Sequence, residues 1–452
     1  MTYHNHVIKI ILIQMKGNRM KNILLEKMFE IHRWEELIEK ADMKGIDKGI
    51  LRKMCDPKVR LAIYNAIVSN HFDFAPSHMA KIPKETPGEY RVVLVGEGVD
   101  RVIQSIINDC LFELFPEMIH PSCRSYQKNL GTGKTVKELS GIVANLQSNI
   151  VGVKSDFHHY FDTVNIESIM SIFDTIERKL GFQKGTEPVM NLLRRTWKNN
   201  TVFDLEGNLI EQYCGIRQGN AIGSFLANVI LYELDEFMSN KYKFYYRYSD
   251  DCITIHDNPK EVINDMNNII QKYGVYLNPK KVQTLYKDKY FTFLGFNICG
   301  DKISFSKKSI KNFQREIESR TIKANVTTKK AINNVNKYIY DGYIVDSRRF
   351  GWAAYFLSTV NVTDDIHELN KFAMDCIKAV DSGKKKIGGL GANPQKGRVV
   401  CRGTGKNVSA NRQKWNQKYG SDHIDGYLTL NTMQNALKMG KPVYEAILAS
   451  VM

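Results

Sequence analysis

The sequence predicts an α+β chain built around an antiparallel sheet. Three observations point there. Short apolar strands mix with amphipathic helices in no repeating order, the pattern of an α+β layout rather than of serial βαβ units. One strand-turn-strand, FYYRY-SDD-CITI, sets two aspartates between apolar runs. A hairpin-like stretch, KIPKETPGEYRVVLV, carries Pro83, Pro87 and Gly88 at its bend.

The elements read as follows. Residues 20–80 are expected to be helical, because Leu24, Leu25, Met28, Phe29 and Ile31 recur at a rough 3–4 spacing and WEELIEKA continues it. Ahead of them, Val7–Met15 is apolar but short, holds Lys9 and lacks a cleavage pattern. A start at Met20 gives a helical opening without residues 1–19. Tyr90–Val95 is predicted to be a strand, and 99–115 a helix with Val102, Ile106, Cys110 and Leu111 on one side. Residues 149–155 form an apolar strand that ends at Asp156, and a polar helical stretch runs on to about 200. A helix starts near Asn220 and extends through SFLANVILYELDEFM. GVYLNPKKVQTLY and YFTFLGFNI are further short elements. From about 304 the pattern is helical again, with Ile310, Phe313 and Ile317, then Ile332, Val335 and Ile339, at i, i+3, i+7.

The 452 residues are enough for two or three packed lobes, and a 43% hydrophobic content excludes a disordered chain. A net charge of +16 points to a polyanionic partner, most often nucleic acid. Between Gly383 and Ser421 there are ten Lys or Arg and no Asp or Glu. Lys384, Lys385, Lys386, Arg398 and Arg402, with Trp415 and Tyr419, suit phosphate neutralisation with base stacking, or else form a solvated tail. The eight cysteines include no CxxC pair, which excludes a zinc ribbon and fits a reducing cytoplasm. No membrane partner is expected.

Nucleotidyl transfer needs two divalent ions about 3.5–4 Å apart, one for the attacking hydroxyl and one for the triphosphate. Rigidly held carboxylates seat such hard ions. Asp156 closes its strand, and Asp250 and Asp251 sit in the predicted turn. Adjacent carboxylates at a turn repel one another unless a cation is there. Aspartate is also common in turns, so the tetrad gains its weight from the strands around it.

Here the chain resembles the reverse transcriptases, especially bacterial ones, over roughly residues 80–300 and more weakly over 305–380. IPKETPGEYRVVLV resembles the fingers hairpin, whose basic residues, here Lys84 and Arg91, grip the incoming triphosphate. KSDFHHYFDTVN resembles the first palm motif, with Asp156 as a metal ligand, the Phe157 carbonyl as another, and Phe161 at the sugar 2′-hydroxyl. Phe161 is alternatively a packing residue of the core. GIRQGNAIGSFLANVILYELDEFM resembles the Gln-Gly motif and its helix, so Gln218 and Gly219 line the nucleotide pocket. YSDD supplies Tyr248 beside that pocket and the ligands Asp250 and Asp251. LNPKKVQTL offers Lys281 to protonate the leaving pyrophosphate. YFTFLGF, with Leu294 and Gly295, resembles the segment that grips the primer end.

The resemblance implies a right-hand polymerase with an antiparallel-sheet palm, fingers and a helical thumb. Its expected parts are an N-terminal helical extension (1–80), fingers and palm (81–300), a thumb (301–380) and a basic appendage (381–452). It implies RNA-directed DNA synthesis with two Mg²⁺ or Mn²⁺ ions, deoxynucleoside triphosphates, template RNA and a DNA product. Among bacterial enzymes the chain looks most like the stand-alone, defence-associated or unknown-group type, which implies a structured non-coding RNA as template and antiphage defence as the outcome. The alternatives are a group II intron maturase without its endonuclease, a non-catalytic RNA-binding chaperone, and the enzyme of a diversity-generating element. Three departures weaken the intron likeness: Arg217 replaces the usual proline before Gln-Gly, Gly223-Ser224 replaces Ser-Pro, and HPSCRSYQKNLGTGKT replaces a SYGFR-like stretch. LGTGKT lacks the first glycine of a P-loop and is expected to be a basic loop on the template. His158 and His159 are the wrong ligand type for Mg²⁺ and are read as palm or template contacts. Trp352 and Tyr355 of FGWAAYF are expected to pack in a core.

Overall fold

Asn22 is the first residue that the computed structural model describes, and it caps a helix. The described residues are 22–44, 47–83, 88–127, 130–213, 215–340, 343–345, 348–383, 424, 427, 429 and 430. Lys84, the tail cations Lys384, Lys385, Lys386, Arg398 and Arg402, and the proposed start at Met20 lie outside them. The chain divides into two compact units: residues 1–128 with 152–284, and residues 129–151 with 285–452.

In the first unit, the Asn22 side chain accepts from the Leu25 amide and starts α1 (Ile23–Met28). α2 (Ile31–Lys44), α3 (Lys48–Met54) and α4 (Pro57–Val68) follow. Asp47 and Asp56 cap α3 and α4, and Pro57 takes a first-turn position whose N–H would have no helical partner anyway. Helix does not reach residue 80 as expected. Ser77–Pro83 is a strand, β1, because it pairs antiparallel with β2 (Tyr90–Val95), with His78 opposite Val95 and Pro83 opposite Tyr90. α5 (Gly98–Leu114) buries Val102, Ile106, Cys110 and Leu111, the side foreseen.

LGTGKT is not a loop. Its last four residues open α6 (Thr132–Ala144), with Gly131 at the cap, and this helix belongs to the second unit. β3 (Ile150–Asp156) leads back into the first unit, followed by α7 (Tyr160–Thr163), α8 (Ile166–Lys179) and α9 (Pro188–Lys198). Two short strands come next that the sequence reading did not contain, β4 (Thr201–Phe203) and β5 (Leu209–Glu211). The Asp204 carboxylate makes their turn by accepting from the Glu206 and Asn208 amides at 3.0 and 2.8 Å. β4 pairs in parallel with β1, giving a sheet of order β2-β1-β4-β5.

The long helix expected from Asn220 is two, α10 (Gly223–Val229) and α11 (Tyr232–Lys241). The break has a physical cause. Arg247 donates to the Ala227 and Asn228 carbonyls at 2.9 and 2.8 Å, and the Tyr160 hydroxyl also donates to Ala227. Those carbonyls would serve Leu231 and Tyr232 in an unbroken helix. β6 (Phe244–Tyr248), β7 (Asp251–Ile255), α12 (Pro259–Ile270) and β8 (Gln283–Tyr286) complete this part, with sheet order β6-β7-β3-β8. Helices α1, α5, α8, α9, α10 and α12 lay apolar side chains into one continuous core with this sheet.

The second unit holds an antiparallel meander of β9 (Phe291–Phe293), β10 (Phe296–Cys299) and β11 (Lys302–Phe305). α13 (Lys307–Arg320) and α14 (Thr328–Tyr340) follow, with Ile310, Phe313, Ile317, Val335 and Ile339 buried. The sequence reading did not contain the strand pair β12 (Tyr343–Val345) and β13 (Arg348–Phe350) that interrupts the helices. α15 (Trp352–Phe356) and α16 (Thr363–Asp381) close the unit. Trp352 is a core residue, stacked on Phe305 with ring centres 5.3 Å apart. Tyr355 is not, being 44% exposed. Among the described residues no helix is long and apolar enough to cross a membrane.

Candidate active site

The antiparallel register of three strands collects the carboxylates. Asp156, the last residue of β3, stands opposite Asp251, the first residue of β7, and Asp251 stands opposite Tyr248 of β6. The turn is therefore Ser249-Asp250 alone, and Asp251 is a strand residue rather than the turn residue expected. Ser249 has φ +59, which closes the two-residue connection at some backbone strain. Asp250 is tied to the first strand as well, its carbonyl accepting from the Phe157 amide at 3.2 Å. Beyond Asp156 the chain runs beside residues 276–278: the Asp156 carbonyl accepts from Asn278, and His158 donates to the Tyr276 carbonyl, both at 2.8 Å.

The carboxylates sit in an unusual field. Asp156 is 5% exposed, and its Oδ2 accepts from Lys281 Nζ at 2.8 Å. Its Oδ1 is buried with no hydrogen-bond partner. Lys154 pairs with Asp251 at 3.3 Å. Burial raises the Asp156 carboxyl above its ordinary range, against the pull of Lys281. Burial raises Asp250 too, reinforced by the charges of Asp156 and Asp251. Lys281 is pulled down by burial but held above its ordinary value by Asp156 and the neighbouring carboxylates.

A buried carboxylate oxygen without a donor, beside two further aspartates, fits a hard divalent cation. Among the described residues, no three His, Cys, Asp or Glu side chains are drawn together as a closed metal cluster. Lysines engage two of the three carboxylates. The imidazoles of His158 and His159 pack on each other, with ring centres 4.3 Å apart, and His159 pairs with Asp162 at 3.7 Å.

Asp250 and Asp251 form one wall of a cleft of about 630 Å³ that is also lined by Arg91, Phe161, Gln218, Gly219 and Tyr248. Five residues expected at a nucleotide pocket thus meet two of the three acids. Phe157 does not line it, since its side chain is buried in the core. The Phe161 ring lines the cleft and also packs partly against the core. Leu294 and Gly295 lie in the second unit, in the two-residue connection of β9 and β10, at φ +50 and +86.

Local chemistry explains the Gln-Gly loop. Gly219 has φ +105, and a Cβ there would stand 2.6 Å from the Leu94 carbonyl oxygen. That approach lets the Leu94 amide donate to the Gln218 carbonyl at 2.7 Å, fastening the loop to β2. Arg217 has φ +65, a value closed to proline, so the departure from the family pattern is a backbone matter. Its guanidinium donates to the Thr196 carbonyl at 2.6 Å.

The sequence reading missed two groups. Arg101, Gln104, Asn108, Tyr126 and Ser224 also line the cleft. Beneath the turn, Arg247 and Asp235 form a fully buried pair at 2.6 and 2.7 Å, and Arg247 reaches the Ser249 carbonyl at 3.3 Å. The Arg before Tyr248 in an apolar strand was the available signal, because a charge in a core strand demands a partner.

Residues 82–298 match the family model described as reverse transcriptase (RNA-dependent DNA polymerase). The chain is 21% identical over 342 residues to a putative COX1/OXI3 intron 1 protein of Saccharomyces cerevisiae, covering 62% of this chain and 39% of that one. It is 21% identical over 293 residues to the putative intron 2 protein of the same yeast gene, covering 51% and 33%. The chain thus spans well under half the length of these relatives. Among solved structures, a telomerase from Candida tropicalis has a TM-score of 0.40 at 14% identity, covering 71% of this chain and 63% of that one. The likeness to the reverse transcriptase family thus lies in residues 82–298, just under half of the chain, and the described residues there mix helices with antiparallel sheets.

Proposed function

We propose, from that likeness and the acid cluster, that the protein synthesises DNA on an RNA template by two-metal nucleotidyl transfer. The observation that carries this reading is the register of Asp156 with Asp251 beside the Asp250 wall of a nucleotide-sized cleft. Asp156, Asp250, Asp251 and the Phe157 carbonyl would hold the ions. In an extended strand the N–H and C=O of a residue point the same way, and the Phe157 N–H is directed at Asp250. Bound there, Mg²⁺ or Mn²⁺ would activate the primer 3′-hydroxyl and hold the triphosphate.

The chain's own groups do the rest. Arg91 neutralises the triphosphate of the incoming deoxynucleotide, with Lys84 expected beside it. Gln218 and Gly219 present backbone and amide to the nucleotide, and Tyr248 borders the same pocket. The Phe161 ring excludes a 2′-hydroxyl by contact. Lys281 Nζ, kept protonated by Asp156, is the proton source for the leaving pyrophosphate. Leu294 and Gly295 hold the primer end, and the tail cations Lys384, Lys385, Lys386, Arg398 and Arg402 bind template phosphates. The fingers and palm occupy 81–300, a thumb 301–380 and the appendage 381–452.

The finer reading is a structured non-coding RNA template and a role in antiphage defence, from the likeness to stand-alone bacterial enzymes; the departures at Arg217 and Gly223-Ser224 only set the chain apart from the intron pattern. The similarity to the yeast intron proteins is compatible with a second reading, a group II intron maturase without its endonuclease. Primer extension with deoxynucleotides on an RNA template tests the activity: it should need a divalent cation and stop with chelator. Absence of extension under every cation tried contradicts the proposal. Sequencing the RNA that co-purifies separates the roles, a compact transcript supporting defence and an intron supporting the maturase.

A further inference from the structure

We infer that Tyr126 is a nucleobase-stacking residue of the cleft, an inference that rests on the polymerase reading and adds a contact to it. Tyr126 is 50% exposed yet lines the same cleft as Asp250, Asp251, Arg91 and Gln218. It holds φ +56, a left-handed conformation that a bulky aromatic residue rarely adopts. An exposed ring kept in a strained backbone beside reactive groups is a sign of use rather than of packing.

The surroundings show how the strain is held. Ser125, the preceding residue, is fully buried and donates from Oγ to Asn228 Oδ1 at 2.6 Å. Asn228 Nδ2 donates back to the Ser125 carbonyl at 2.7 Å, and the Ser249 amide donates to Ser125 Oγ at 3.0 Å. Arg124 and Arg247 share backbone bonds, the Arg124 amide donating to the Arg247 carbonyl at 2.8 Å, so this loop lies alongside β6. The Tyr126 hydroxyl in turn meets the Ser249 side chain. Both ends of the tyrosine are thereby referenced to the turn that carries Asp250. Its ring is an apolar plate in a cleft whose other lining groups, Phe161 and Ala221 apart, are mostly charged or polar.

The cleft's chemistry identifies what lies on that plate. Arg91 suits phosphate, the aspartates suit cations, and Phe161 closes the sugar position. The part of a nucleotide still without a partner is the base, whose π-face stacks on aromatic rings regardless of sequence. The base belongs either to the incoming nucleotide or to the template strand.

Equilibrium binding of a deoxynucleoside triphosphate and of single-stranded RNA to the full chain separates these, with steady-state KM and kcat alongside. Tyr126→Ala should weaken one of the two by about tenfold, the loss of one stacked base, while Tyr126→Phe and Tyr126→Trp stay near wild type. Weaker triphosphate binding assigns the plate to the incoming base, and weaker RNA binding assigns it to the template. Two results overturn the inference: unchanged binding of both ligands by a folded Tyr126→Ala, or equal losses in Tyr126→Ala and Tyr126→Phe, which would make the hydroxyl tether the working part. An inactive wild-type enzyme would contradict the polymerase reading, yet the binding comparison would still decide the stacking.

Discussion

The acid residues are placed against their own stability. A folded-state carboxyl raised above its unfolded value favours the neutral form, so its charge destabilises the fold at neutral pH. That cost is relieved as pH falls through the folded value. Asp250 is in this position, through burial first and then the charges of Asp156 and Asp251. Asp250→Asn should therefore raise the melting temperature in chelator by roughly 1–4 °C, and added Mg²⁺ should stabilise wild type more than the variant. Calorimetry with and without cation checks both, and a variant that melts lower in chelator would contradict the electrostatics. Phe161 makes a separate prediction. Phe161→Ala should raise ribonucleotide use relative to deoxynucleotide by about tenfold or more, the selectivity that one steric contact supplies. Competition between the two triphosphates measures this ratio, and an unchanged ratio would leave Phe161 as packing alone.

Elements, rather than single residues, set how the cleft holds together. β2 is fastened to the Gln-Gly loop by one backbone bond that only a glycine at 219 permits. Gly219→Ala should cost about 1–3 kcal/mol of local strain and loosen that bond. The expected signature is a higher KM for deoxynucleotide with a largely intact circular dichroism spectrum. A KM equal to wild type would show that the loop position does not matter. The same level of organisation explains what the sequence made legible. β2, β3, β6 and β7 were readable because alternating or continuous apolar runs ended at turn residues. β4 and β5 were not, since three-residue strands carry no period and exist only by pairing, β4 with β1 and β5 with β4. The break between α10 and α11 was hidden too, because its cause, Arg247 reaching two helix carbonyls, is a tertiary contact. The acids of the site were legible from strand-turn-strand context. Tyr126, Gln104 and Asn108 were not, because nothing local marks a residue that joins a cleft only after folding.

At the scale of the whole molecule, the charge of +16 is concentrated where the sequence is richest in Lys and Arg, at 384–418. Such a segment is expected to bind phosphates without regard to base, each neutralised phosphate adding about −0.7 to −0.9 to the log–log salt slope. A chain ending near Asp381 should bind template RNA with a slope flatter by several units, read from filter binding at several salt concentrations. An unchanged slope would mean an idle tail. The truncated chain should still extend a short primed duplex, because the acids and Arg91 belong to residues 1–128 and 152–284.

The central claim is that Asp250 and Asp251 hold the ions of a polymerase and do not hold RNA. Primer extension on an RNA template by Asp250→Asn/Asp251→Asn, set beside its affinity for the same RNA, tests it most directly. The account predicts that DNA synthesis falls below detection while RNA affinity stays within about twofold of wild type, since neutralising two half-buried acids removes no phosphate contact. Synthesis near the wild-type rate, or loss of RNA binding in step with loss of synthesis, would contradict it.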